Sequence, residues 1–121
     1  MLVEDNELNA EIVREVLKMS GTQVEWVKNG KEAVEKVLCS EDGYYDMIFM
    51  DIQMPVMDGY QATKAIRASG RNDAQTIPIV AITANAFIED ISRAKKAGMT
   101  EYVTKPVDFV QLEQIMREFL L

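Results

Sequence analysis

Two nearly continuous apolar runs constrain the fold of this chain more than any other feature. Residues 47–50 read Met-Ile-Phe-Met, and residues 77–82 read Ile-Pro-Ile-Val-Ala-Ile. Unbroken apolar strands are typical of a parallel sheet that helices cover on both faces. The two runs are therefore predicted to be central strands of an α/β domain.

Strand-like runs alternate with amphipathic helical segments along the chain. Strands are predicted at residues 1–3, 23–27, 47–50, 77–82 and 101–104. Apolar residues at helical spacing predict a helix after each strand, the third over 60–68, the fourth over 86–97 and the fifth opening at Asp108. Residues 69–76 are predicted to form a polar loop. Five βα units imply a parallel sheet whose loops gather at its carboxyl edge.

Length and composition predict one domain over residues 1–121, in which 48% of the residues are hydrophobic and can build a single core. Thirteen basic and twenty acidic residues give a net charge of −7, which argues against direct binding to nucleic acid or an anionic membrane. No apolar run approaches the ~20 residues that span a bilayer, and no secretory leader precedes the first strand. A cytoplasmic domain is expected.

Cysteine and histidine usage adds two constraints. The single Cys39 cannot form an internal disulfide, which fits a reducing compartment, and its place in a helical segment predicts a small packed hydrophobe. Histidine is absent, which removes the commonest general base and the usual phosphorelay donor. Any histidine chemistry must therefore come from a partner protein.

Polar residues follow four of the predicted strands. Glu4 and Asp5 follow the first, Asp51 the third, Thr83 the fourth and Lys105 the fifth. Because the carboxyl ends of parallel strands form the crevice where open α/β sheets bind ligands, these side chains are expected to converge. Asp51 can then serve as nucleophile or metal ligand. Carboxylates, a hydroxyl and an ammonium are what Mg²⁺-assisted phosphoryl transfer onto a carboxylate requires.

These motifs resemble, in order and spacing, those of the response-regulator receiver domain of two-component signalling. The matching blocks are Val-Glu-Asp-Asn at 3–6, Met-Asp-Ile-Gln-Met-Pro-Val-Met-Asp-Gly at 50–59, Ile-Thr-Ala at 82–84 and Lys-Pro at 105–106. The resemblance implies a flavodoxin-like (βα)5 three-layer sandwich with a parallel five-stranded sheet of order 2-1-3-4-5. Family members generally have a longer first strand, so the first strand here is expected to be truncated.

Glu4 stands where the family more often has Asp, and similar acidic and Met-Asp-Ile-Gln-Met-Pro motifs are frequent in receivers of hybrid sensor histidine kinases. The resemblance therefore suggests a receiver that is the cytoplasmic part of a membrane-bound hybrid kinase. It implies that Asp51 accepts a phosphoryl group from the phosphohistidine of a kinase or a histidine phosphotransfer domain. It also implies Mg²⁺ bound by Asp5 and Asp51, by Glu4 through water, and by the main-chain carbonyl of Gln53.

The family pattern assigns further roles. Lys105 and Thr83 contact the phosphoryl group, and Thr83 draws its loop inward while Tyr102 changes from an exposed to a buried rotamer. The output face is then the fourth helix, the fifth strand and the fifth helix, where a downstream protein binds. Gln53 and Asn85 tune the rate at which water removes the phosphoryl group, and a cis peptide before Pro106 aims the ammonium inward. Such a domain catalyses its own phosphorylation and dephosphorylation and is not a turnover enzyme.

Three other functions are compatible with parts of the pattern. A turnover phosphatase with Asp51 as nucleophile would want a second acid two residues on, where Gln53 stands. A flavodoxin-like cofactor binder would want a phosphate-cradling loop after the first strand, where the acidic pair stands. An inactive receiver kept as an interaction module would have lost site residues, whereas all of the matched ones are present.

Overall fold

The computed structural model describes residues 1–54, 56–84, 88–105 and 107–120. Its strands are β1 (Leu2–Val3), β2 (Trp26–Val27), β3 (Ile48–Asp51), β4 (Ile79–Thr83) and β5 (Glu101–Thr104). Its helices are α1 (Glu7–Met19), α2 (Gly30–Cys39), α3 (Gly59–Arg67), α4 (Asn72–Thr76), α5 (Ile88–Ala97) and α6 (Phe109–Leu120). The predicted fourth and fifth helices are therefore α5 and α6.

The five strands form one parallel sheet in the order β2-β1-β3-β4-β5, which confirms the predicted topology. Val3 pairs with Met50, Asp51 with Ile82, and Thr83 with Thr104. This register brings the ends of β1, β3, β4 and β5 to one edge of the sheet.

Helices cover both faces of the sheet, as the apolar runs predicted. In β4, Ile79 and Ala81 belong to the core cluster that also contains buried residues of α2, α3 and α5. Val80 and Ile82 belong to the opposite cluster, which contains buried residues of α1 and α6. Alternate side chains of one strand thus join two cores, and the fold is a three-layer sandwich.

Short polar side chains begin the helices close to the strand ends. The side chains of Asn6 and Asn29 each accept a hydrogen bond from the amide three residues on, at 3.0 and 2.9 Å. Asp58 and Gln61 form a reciprocal capping box at α3. Asp108 accepts from two amides at the start of α6, which confirms the predicted cap. These caps allow each helix to follow its strand after a few residues.

The prediction of a continuous polar loop over residues 69–76 is wrong, because this stretch contains α4. Arg71 organises the segment. Its guanidinium donates to the carbonyls of Val37 and Ser40 at the end of α2, the latter at 2.8 Å, and forms a two-bond ion pair with Asp73 at 3.1 Å. Asp73 in turn accepts from the Gly43 amide at 3.0 Å. Contacts distant in sequence therefore order this segment.

Cys39 also differs from its prediction, since its side chain is exposed at the end of α2 rather than packed. The buried positions of α2 are Gly30, Ala33 and Val37, and this stripe turns Cys39 towards solvent. Among the helices that the structure describes, none has the length and apolar character needed to cross a membrane.

Candidate functional site

Three carboxylates meet at the carboxyl edge of the sheet. Glu4 and Asp5 follow β1, and Asp51 ends β3, the strand next to it. One oxygen from each of the three side chains lies within 4.8 Å of the others. The predicted convergence of these three residues is confirmed.

The surroundings of this acidic cluster suit a hard cation. Glu4 is 1% exposed and Asp51 is 3% exposed, whereas Asp5 faces solvent. Glu4 Oε1 accepts from the Asn6 amide at 3.2 Å, while Glu4 Oε2 is buried and has no hydrogen-bond partner among the described residues. A buried carboxylate oxygen that makes no hydrogen bond, beside two other carboxylates, fits the oxygen coordination that Mg²⁺ and Ca²⁺ prefer.

Lys105 brings a positive charge to the same place. Its Nζ lies 3.5 Å from Asp51 Oδ1 and 3.5 Å from Glu4 Oε2. Its backbone amide donates to the Thr83 carbonyl at 2.8 Å, which ties the end of β5 to the end of β4. The expected approach of Lys105 to Asp51 is therefore present, and the ammonium offsets part of the charge of the acidic cluster.

Burial and charge act together on Asp51. Desolvation is the largest effect and the neighbouring Glu4 carboxylate is the next, and they raise the pKa of Asp51 from 3.8 to about 7. The Lys105 ammonium opposes this shift. A cation bound beside such a carboxyl group would lower its pKa and stabilise its ionised form.

Gly59 allows the chain to fold back against the end of β3. Its amide donates to the Ile52 carbonyl at 2.8 Å. A Cβ at this position would lie 2.5 Å from the Asp51 carbonyl oxygen and 2.9 Å from the Ile52 Cα, distances that real contacts do not reach. In the sequence this glycine stands only as part of a motif, and the signal for its structural role is the adjacent Asp58, the N-cap of α3.

Thr83 and Gln53 border a neighbouring cavity of about 490 Å³ between the ends of β3 and β4. Thr83 is 9% exposed and Gln53 is exposed. On the far wall, the Arg93 guanidinium lies 4.3 Å from the centroid of the Tyr60 ring. The sequence reasoning missed this contact, because neither residue follows a strand.

The remaining predicted residues are more distant or lie outside the described part of the chain. Tyr102 is half-buried in β5, opposite Ala81, and packs against the core cluster shared with α3 and α5. Asn85 and Pro106, and with them the expected cis peptide, lie outside the described residues.

Trp26 is a neighbour of the site that the sequence reasoning did not identify. Its indole N–H donates to the backbone carbonyl of Glu4 at 2.9 Å. It is the single tryptophan of the chain and stands in a predicted edge strand beside the acidic pair, which was the available signal.

Known proteins share both the sequence pattern and the fold. The model of the response regulator receiver domain family matches residues 1–117. The osmosensing histidine protein kinase SLN1 of Saccharomyces cerevisiae is 40% identical over 122 residues, which cover 98% of this chain and 10% of the kinase. The chain spans between 3% and 15% of the length of the first curated relatives that it matches.

Two solved structures illustrate the similarity. The receiver domain of sensor histidine kinase PA1611 from Pseudomonas aeruginosa, crystallised with magnesium coordinated in its active site cleft, is 37% identical with a TM-score of 0.87, over 98% of this chain and 93% of that one. A chain of the Saccharomyces cerevisiae co-crystal of the phosphotransfer protein Ypd1 with the receiver domain of Ssk1 is 34% identical with a TM-score of 0.84, over 98% and 85%.

The sheet order, the acidic cluster with its lysine and the family match all agree. The chain belongs to the response regulator receiver domain family of two-component signalling.

Proposed function

We propose that this domain is a phosphoacceptor switch in which Asp51 takes a phosphoryl group from a partner phosphohistidine. The observation that carries the proposal is the Asp51 carboxylate at the end of β3, 3.5 Å from the Lys105 ammonium and within one cluster with Glu4 and Asp5. A carboxylate nucleophile needs this combination of positive charge and restricted geometry.

The reaction begins with attack of an Asp51 carboxylate oxygen on the phosphorus atom. The bond between phosphorus and the donor imidazole nitrogen breaks, the electron pair stays on the imidazole, and Asp51 becomes an acyl phosphate. The donor is a histidine kinase or a histidine phosphotransfer domain. The absence of histidine from this chain and the likeness to a receiver crystallised with a phosphotransfer protein both support this assignment.

Asp5 and Asp51 would hold Mg²⁺ directly, Glu4 through a water molecule, and Gln53 through its main-chain carbonyl. When bound, the ion supplies positive charge to the equatorial oxygens of the phosphoryl group. The cluster of three carboxylates, with the buried Glu4 Oε2 making no hydrogen bond among the described residues, and the magnesium in the similar PA1611 receiver support the assignment.

Lys105 and Thr83 complete the proposed phosphoryl site. The Lys105 ammonium neutralises phosphoryl charge from the side of β5, and the Thr83 hydroxyl donates to a phosphoryl oxygen. Thr83 stands at the end of β4, one residue beyond the partner of Asp51 in the neighbouring strand. This register supports a hydroxyl at the same edge as the nucleophile.

Phosphorylation would be relayed from Thr83 to Tyr102. The added charge of about −1.5 to −2 draws the loop after β4 inward, and Tyr102 moves from its half-buried position into the space that this motion leaves. The output face is formed by α5, β5 and α6. Gln53 and Asn85 tune the rate at which water removes the phosphoryl group. The domain thus catalyses its own phosphorylation and dephosphorylation and does not process a separate substrate.

We also infer that the chain is the receiver portion of a hybrid sensor kinase. Its relatives include a hybrid signal transduction kinase of Dictyostelium discoideum that is 42% identical over 98% of this chain. The natural donor would then be the kinase itself or a phosphotransfer protein of the same relay, on the cytoplasmic side of a membrane.

The direct test is Mg²⁺-dependent labelling by acetyl phosphate or phosphoramidate, followed by intact mass. One added phosphoryl group is expected on the native chain and none on Asp51→Asn. Asp46→Asn is the matched control, because Asp46 is an exposed acid just before β3, towards the other end of the same strand. Undiminished labelling of Asp51→Asn would refute the assignment of the acceptor.

A second pair of variants tests the ammonium. Lys105→Gln is expected to slow labelling by ~10²- to 10³-fold, the loss found when one electrostatic donor to a transition state is removed. Lys95→Gln removes an exposed lysine of α5 and should leave the rate unchanged. Equal rates in the two variants would exclude a role for Lys105 in the transfer.

A further inference from the structure

We propose that Trp26 is a positioning residue that holds the Glu4–Asp5 peptide and thereby sets the direction of the Asp5 carboxylate for metal binding. The inference rests on the proposed function, because it assumes that Asp5 is a metal ligand. It begins from the 2.9 Å hydrogen bond between the indole N–H of Trp26 and the Glu4 carbonyl.

This hydrogen bond lies just beyond the last backbone pairing between β1 and β2. The ladder between β1 and β2 closes with the pair Val3 and Val27, followed by a bond from the Glu4 amide to the Val27 carbonyl at 3.1 Å. Beyond Val27 the chain turns into α2, whose N-cap is Asn29. The Glu4 carbonyl therefore receives its donor from the Trp26 side chain, where the strand backbone no longer continues.

The consequence falls on Asp5 because the Glu4 carbonyl belongs to the peptide plane that joins these two residues. The other two carboxylates of the cluster are buried and held by packing, but Asp5 is exposed. The Glu4 amide, in the preceding peptide, is bonded to Val27, and the Glu4 carbonyl is bonded to Trp26, so both peptides that flank the Glu4 Cα are tied to β2 and rotation of the Glu4–Asp5 peptide is restricted. The position of the Asp5 Cα, and with it the range of directions open to the Asp5 side chain, is then fixed by this bond.

The indole is itself well fixed. Trp26 is half-buried and packs against the core cluster that contains residues of α1 and α6. The Arg14 guanidinium and the Lys28 ammonium approach its ring at 5.9 and 5.8 Å from the centroid, within the range of cation–π attraction. Because packing and two cations hold the indole, its N–H can fix the position of the Glu4 carbonyl.

Loss of the donor should weaken metal binding and leave the transfer chemistry intact. The indole touches neither Asp51 nor Lys105 among the hydrogen bonds and ion pairs that the structure describes. A preorganised ligand lowers the cost of binding, so a freed Asp5 is expected to reduce Mg²⁺ affinity by ~2- to 10-fold, the value of one hydrogen bond. At saturating Mg²⁺ the labelling rate should return to that of the native chain.

The experiment replaces Trp26 with 3-benzothienylalanine, which keeps the shape of the ring system and removes the N–H. Trp26→Phe is a second variant with natural chemistry. Tyr45→Phe is the matched control, since it removes a side-chain hydrogen bond of 3.0 Å, from the Tyr45 hydroxyl to Glu25. Mg²⁺ affinity is measured by calorimetry, and the acetyl phosphate labelling rate is measured against Mg²⁺ concentration.

The expected result is a higher Mg²⁺ requirement in both Trp26 variants, an unchanged maximal rate, and native values in Tyr45→Phe. Native Mg²⁺ affinity in the benzothienyl variant would overturn the inference. It would equally be overturned by an equal loss in Tyr45→Phe, or by a lower maximal rate at a native Mg²⁺ requirement. If the native chain neither binds Mg²⁺ nor becomes labelled, the proposed function fails instead.

Discussion

Gly59 lies directly against the backbone of Asp51, so close that a Cβ would come within 2.5 Å of the Asp51 carbonyl oxygen. The first residue of α3 thus packs against the last residue of β3, and the chain returns to Asp51 at Gly59. The position of the carboxylate depends on the absence of a side chain eight residues later.

Gly59→Ala is therefore expected to lower the free energy of unfolding by ~1–3 kcal/mol, as overpacking does, although alanine normally favours a helix. Labelling of Asp51 should slow as well, because the end of the strand must shift. Gly43→Ala is the control: its φ is +79° and its Cβ would meet no atom within 4 Å. Gly43→Ala should lower the free energy of unfolding by ~1–2 kcal/mol through backbone strain alone. Urea unfolding measures the loss of stability in both variants, and labelling kinetics should be slowed only in Gly59→Ala. An unimpaired labelling rate in Gly59→Ala would contradict the dependence of Asp51 on this glycine.

Glu4→Gln should raise stability in the absence of metal and reduce the stabilisation that Mg²⁺ adds. In chelator, loss of one carboxylate from a buried acidic cluster relieves repulsion and is expected to raise the unfolding free energy by ~1 kcal/mol. In Mg²⁺ the variant should gain less than the native chain, because binding to the folded state stabilises according to affinity. Thermal unfolding with and without Mg²⁺ measures both effects. Glu11→Gln, at an exposed position of α1, should do neither. A shift of the same size in both buffers would exclude a contribution of Glu4 to metal binding.

The pKa of Asp51 predicts how metal-free stability depends on pH. Its pKa is 3.8 when unperturbed and about 7 in the fold. Between these values the folded chain binds more protons than the unfolded chain, so the contribution of Asp51 is fully present below pH ~4 and is lost as pH rises through 7. The difference in urea midpoint between the native chain and Asp51→Asn, measured in chelator, should follow this decline. A difference that stays constant from pH 5 to 8 would show that Asp51 is ionised throughout.

Arg71 should support the fold without affecting phosphorylation. It bonds the carbonyls of Val37 and Ser40 and pairs with Asp73, while the Val37 carbonyl has a further donor in the Ser40 hydroxyl. Arg71→Ala removes the bonds to both carbonyls and the ion pair together and should lower the free energy of unfolding by ~2–3 kcal/mol. Arg71→Lys should recover little, because an ammonium cannot reproduce the planar fork. Chemical denaturation supplies the energies, and Asp51 labelling of the folded variants should be native. Full stability of Arg71→Lys would mean that charge alone suffices.

The apolar pattern predicted the sheet and the convergence of Asp51 with Lys105, because strand ends of a parallel sheet share one edge whatever the loops contain. The strand at residues 101–104 has the predicted bounds. Tyr102 lies on this strand, and Thr83, predicted to follow the fourth strand, is the last residue of β4. Their roles in switching stay predictions. The roles of Asn85 and of the peptide before Pro106 stay predictions too.

Features that depend on contacts between distant segments were not predictable in this way. The helix α4 is ordered by Arg71 acting across to the end of α2, a contact that local sequence does not encode. Cys39 was predicted to be packed. In a helix, two neighbouring residues can face the core and the solvent, so the apolar pattern did not decide which way this side chain points. The bond from Trp26 to the Glu4 carbonyl joins a side chain to a backbone group, and apolar periodicity carries no information about it.

The exposed position of Cys39 has a practical consequence. As the one thiol in the sequence, it offers a single attachment point for a maleimide fluorophore. The dye would sit at the end of α2, a helix that contributes no residue to the acidic cluster. A label at this position therefore leaves every residue of the proposed phosphorylation site native.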